Sequence, residues 1–86
     1  MPIITIYLTE TCPYCHAAKA LLVRKGARFD EIDVSPDAAQ RHHMVARANG
    51  RRTVPQIFIG DTHVGGSDEL HELERRGKLD DMLRAA

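Results

Sequence analysis

Cysteine is scarce in this 86-residue chain, which holds two, Cys12 and Cys15. That excludes a disulfide framework, because the single possible bridge closes a four-residue ring and gains little loop entropy. Charge of one sign is not in excess either. Twelve Lys and Arg balance twelve Asp and Glu, so no net field draws the chain to nucleic acid or an anionic membrane. Long hydrophobic runs are missing: no segment approaches the roughly 18 apolar residues of a membrane span. The opening stretch, Met1 to Leu8, lacks both the basic start and the apolar length of a secretion signal. The cytoplasm is the expected compartment, where structural disulfides are rare and a lone cysteine pair points to catalysis. Repeats, low-complexity tracts and linkers are absent too, and the length suits one domain, 1–86.

What is present centres on Thr11-Cys12-Pro13-Tyr14-Cys15-His16. The C-x-x-C spacing falls where an apolar strand gives way to a helical pattern, the setting of a redox dithiol. Cys12 stands at the cap of the coming helix, and Pro13 at N1, where its missing N–H does no harm. Unpaired amides and the positive dipole end favour a thiolate there. Cys15, one turn on, is expected to be more enclosed and less ionised. The asymmetry assigns attack to Cys12 and resolution of the mixed disulfide to Cys15.

The surrounding pattern is βαβαββα. Residues 3–8 are β-branched and aromatic, as in a buried strand. Tyr14, Ala17, Ala18, Leu21 and Leu22 recur at helical spacing, and Gly26 supplies a stop. Residues 29–34 form a second strand. Ser35 as cap, Pro36 at N1 and Asp37 in the first turn then open a helix to about residue 48. Residues 55–65 read as two strands around a Gly60-Asp61 turn. A third helix opens at Ser67-Asp68-Glu69 with Leu70 and Leu73 inward, and residues 78–83 close the chain as a short helix. A parallel crossover followed by a hairpin predicts a four-stranded mixed sheet with helices on both faces.

Three motifs together, Cys12-Pro13-Tyr14-Cys15, Thr53-Val54-Pro55 and Gly65-Gly66-Ser67-Asp68, resemble the dithiol glutaredoxins of small bacterial type over essentially the whole chain. The resemblance implies a thioredoxin-like fold. It also implies glutathione-dependent reduction of protein disulfides and glutathione mixed disulfides, an electron-donor role in cell redox homeostasis. Glutathione would be a co-substrate, with no tightly bound cofactor. Partners would be disulfide-bonded or glutathionylated proteins, ribonucleotide reductase among the candidates, and the chain would be a monomer. Tyr14 would border bound glutathione, its aromatic face and polar tip suiting a rim. Val54, before a cis Pro55, would pair with the tripeptide's backbone like an added strand, with Thr53 a lesser contact. Gly65-Gly66 would allow close backbone approach, the free amides of the helix opened by Ser67-Asp68 would take the γ-glutamyl carboxylate, and Asp68 would pair with its ammonium.

Each position also has a plain structural alternative. Pro13 starts a helix, Tyr14 can simply pack, Val54-Pro55 can be a loop-to-strand turn, and Ser67-Asp68 can be a helix cap. One departure stands out: where many relatives carry a lysine shortly before the first cysteine, this chain has Leu8-Thr9-Glu10-Thr11. Arg41 and Arg52 are the candidate cations for the glycyl carboxylate. His16 is expected at the solvent, and His42-His43, His63 and His71 have no ligand spacing, so no structural metal is expected. Two other functions stay open. One is a redoxin of the same fold reduced by thioredoxin reductase. The other is a binding module sharing a glutathione-ligated [2Fe–2S] cluster between subunits through Cys12, which Pro13 disfavours.

Overall fold

The computed structural model describes residues 2–84. Eight elements follow one another: β1 (Ile4–Leu8), α1 (Pro13–Arg24), β2 (Asp30–Asp33), α2 (Ala38–Arg47), β3 (Gln56–Ile59), β4 (Thr62–Gly65), α3 (Ser67–Arg75) and α4 (Leu79–Arg84). The strands form one mixed sheet in the order β2-β1-β3-β4. β1 runs parallel to β2 and antiparallel to β3, and β4 returns antiparallel beside β3.

Alternation along the strands builds two cores, one on each face. Ile4, Ile6 and Leu8 with Ile57 and Ile59 face Cys15, Ala18, Leu21 and Leu22 of α1, Leu70 of α3, and Leu79 and Leu83 of α4. Tyr7 and Phe58 face the other way, against Val34 and against Met44 and Ala48 of α2 and its cap. Each large apolar side chain so buried contributes roughly 1.5–3 kcal/mol. The expected layering therefore holds, with α1, α3 and α4 on one face and α2 on the other.

Local chemistry moves several boundaries. Ile3 lies outside β1 and is exposed, so that strand starts one residue later than its composition predicts. β2 is one residue shorter at each end than the expected strand over residues 29–34. The cap of α2 is Asp37, whose Oδ1 accepts from Gln40 N–H at 3.1 Å, and not Ser35. The Asp33 carboxylate captures Ser35 N–H at 2.8 Å, which holds this stretch in a turn and leaves Pro36 ahead of the helix. Gly66 caps α3, and Ser67 is its first helical residue. Gly26, at φ +69°, ends α1 as its sequence position implies.

Candidate active site

Cys12 is the N-cap of α1, and its Sγ accepts the Cys15 N–H at 3.3 Å. The capping contact thus brings the two cysteines together one turn apart. Both are free thiols, Cys12 half-buried and Cys15 buried. Burial, and next a hydrogen bond with Cys12, push the Cys15 thiol up to about 11. That is the protonated, enclosed partner expected of the resolving position.

The Cys12 thiol also reaches across to the Val54 carbonyl, 3.7 Å away, which ties the start of α1 to the loop before β3. The Val54–Pro55 peptide is cis, as the resemblance implied. Tyr14, Thr53, Val54, Pro55, Gly66, Ser67 and Asp68 line one cavity of about 230 Å³ together with Arg51 and Glu69. The seven residues Tyr14, Thr53, Val54, Pro55, Gly66, Ser67 and Asp68 therefore share a single concave surface beside the dithiol, without Arg41 and Arg52. Tyr14 is 63% exposed, a rim residue with an open aromatic face. A larger cavity of about 670 Å³ runs along β4, α3 and α4 and shares Asp68 and Glu69 with the smaller one. Only the smaller one includes Tyr14, which lies between the cysteines, and Val54, whose carbonyl the Cys12 thiol reaches.

Arg51 was not expected at the site, and Glu69 was expected only as part of the opening of α3. The Arg51 guanidinium donates to Glu69 Oε1 at 2.8 Å, and the same oxygen accepts Gly66 N–H at 2.7 Å. The Gly66 amide and the Arg51 charge hold the Glu69 carboxyl below its ordinary range. A clamp thus joins the Thr53 loop to the start of α3 on either side of the cavity. It explains Gly65, which sits at φ +113°: a Cβ there would lie 2.5 Å from Glu69 Oε1 and 2.7 Å from Arg51 Nη1. The available signal was the acid at the third position of α3, a place from which a carboxylate reaches back to the cap amide.

Although Arg52 stands between Arg51 and Thr53 in the chain, Arg41 and Arg52 are not among the residues lining this cavity. They line a separate cavity of about 350 Å³ with Ala38, His42 and Val45, and Arg41 donates to the Arg52 carbonyl at 3.0 Å. His16 is exposed and its Nε2–H donates to the Glu10 carbonyl at 2.9 Å. His71 Nδ1–H donates to the Ser67 carbonyl at 2.8 Å. Among the described residues, no group of three His, Cys, Asp or Glu could hold a metal ion. Likewise no helix among them is long and apolar enough to cross a membrane.

The sequence matches the glutaredoxin family model over residues 4–64. The chain belongs to the glutaredoxin family. It is 53% identical over 81 residues to glutaredoxin 3 of Escherichia coli, covering 94% of this chain and 96% of that one. Its fold is similar to the solution structure of glutaredoxin from Brucella melitensis, with a TM-score of 0.86 and 55% identity over 98% of this chain and 90% of that one. It is also similar to a buckwheat glutaredoxin–glutathione complex, with a TM-score of 0.85 and 36% identity over 93% of this chain and 74% of that one. The mixed sheet and its flanking helices are thus the thioredoxin-like fold of glutaredoxins, and this glutaredoxin has a redox function built on thiol chemistry.

Proposed function

We propose that this glutaredoxin is a glutathione-dependent thiol–disulfide oxidoreductase acting on glutathionylated and disulfide-bonded proteins in the cytoplasm. The Cys12 thiolate attacks the glutathionyl sulfur of a mixed disulfide. The target's sulfur leaves with the electron pair and takes up a proton, and a Cys12–glutathione disulfide remains. A second glutathione thiolate then attacks the glutathionyl sulfur, which frees Cys12 and forms glutathione disulfide. On a protein disulfide, the Cys12 thiolate attacks one sulfur and releases the other as a thiol. Cys15 then loses its proton and attacks Cys12 Sγ, expelling the target's remaining sulfur as a thiol. Two glutathione thiols reduce the resulting Cys12–Cys15 bond and leave as glutathione disulfide. Val54 pairs with the tripeptide backbone, the Ser67 and Asp68 amides beside Gly66 take its α-carboxylate, the Asp68 carboxylate faces its ammonium, and Tyr14 and Thr53 border it.

The observation that supports this reading is the 230 Å³ cavity beside Cys12, lined at once by Tyr14, Thr53, Val54, Pro55, Gly66, Ser67 and Asp68. The buckwheat relative's structure is a complex with glutathione, which supports the same ligand here. The test is a coupled assay with a glutathionyl mixed disulfide, in which reducing equivalents come through glutathione reductase or through thioredoxin reductase. Saturable turnover is expected with glutathione and its reductase. Turnover with thioredoxin reductase alone would overturn the glutathione dependence.

A further inference from the structure

Gln56 is wholly buried at the start of β3, where an apolar side chain would serve the core and avoid desolvating an amide. Each face of that amide is used. Its Nε2 donates to the Thr53 carbonyl at 2.9 Å and to Thr53 Oγ1 at 3.2 Å. Its Oε1 accepts from His63 Nε2–H at 2.7 Å, and His63 is itself stacked on Phe58 with ring centroids 4.9 Å apart. The Arg47 guanidinium covers the same Phe58 ring at 4.1 Å, so the histidine rests on a braced platform. The Thr53 carbonyl belongs to the same peptide plane as the Val54 N–H. In a trans peptide the two point opposite ways, so anchoring one aims the other.

We propose that Gln56, buttressed by His63, is a positioning residue that holds the Thr53–Val54 peptide in the orientation needed to pair with a bound glutathionyl group. This rests on the reading that Val54 meets glutathione. It assigns to the interior of β3 and to the edge strand β4 a share in substrate affinity. Neither residue lines the cavity, so the effect is transmitted through Thr53.

The experiment measures KM and kcat for a glutathionylated peptide, and the rate of Cys12 alkylation by iodoacetamide, in wild type, Gln56→Met, His63→Phe and the double variant. His63→Phe keeps an aromatic ring on Phe58 while removing the donor. Loss of a buried hydrogen-bonded anchor predicts a KM about three- to tenfold higher in Gln56→Met, with kcat and alkylation nearly unchanged. A smaller rise is expected in His63→Phe, and the double variant should be no worse than Gln56→Met. A wild-type KM in Gln56→Met, a parallel loss of alkylation, or independent effects of the two substitutions would overturn the proposal. Should Gln56→Met not fold, His63→Phe decides: a raised KM supports the proposal and an unchanged one refutes it. Failure of the wild type itself to saturate would instead defeat the glutathione reading and this inference with it.

Discussion

Two sulfurs three residues apart differ because a helix begins between them. Cys12 is half-exposed at the cap, whereas Cys15 points into the core beside Leu21 and Leu22, and burial pushes its thiol up to about 11. Because its folded value lies above the ordinary 9.0, Cys15 contributes stability below that pH and loses it as pH rises toward 11. The same protonation keeps it from competing as the attacking group. Cys12→Ser should therefore abolish all turnover, while Cys15→Ser should keep reduction of glutathionyl mixed disulfides and lose reduction of protein disulfides. Parallel assays of the two variants on both substrate types check this. Equal losses would contradict the division of labour. The placement of a half-exposed cap cysteine one turn before a buried one was legible from C-x-x-C at a helix start, since spacing and capping are local properties.

At the scale of elements, the first turn of α3 matters most. Its cap amide, an acid one turn in and an arginine from the opposite loop meet at one oxygen, Glu69 Oε1. The folded Glu69 carboxyl lies below its ordinary 4.5, so its stabilisation is present above that pH and disappears as pH falls through the lowered value. The two side chains are 44% and 43% exposed, so solvent screening keeps the pair's worth near 0.2–1 kcal/mol. Denaturant titration of wild type and Glu69→Gln should show wild type more stable near neutral pH, with the gap closing below 4.5. A gap independent of pH would mean that charge is not what Glu69 contributes. This clamp was hidden in the sequence because Arg51 and Glu69 are 18 residues apart and only the fold brings them together. The cap of α2 was misread for a related reason. Ser35-Pro36-Asp37 carries two good caps, and the Asp33 carboxylate on the Ser35 amide selects the later one.

For the whole molecule, strand alternation sorts residues into two cores, and the loops at one end of the sheet bring three distant motifs into one concave surface. Strand and helix existence, the parallel crossover and the hairpin were all readable from periodicity and turn residues. The Gln56–His63 bond was not: a glutamine opening an apolar strand carries no sign of what its amide meets. Nor was the hydrogen bond from Arg41 to the Arg52 carbonyl, which depends on how α2 lies across the opposite face. The arrangement makes one claim above the rest, that the sulfur of residue 12 and the γ-linked tripeptide share this surface. Amide NMR of Cys15→Ser, before and after trapping glutathione as a mixed disulfide, tests it most directly. The account predicts that the Val54, Ser67 and Asp68 amide signals shift along with those next to Cys12. Shifts confined to residues 11–16, or no trapped adduct, would contradict it.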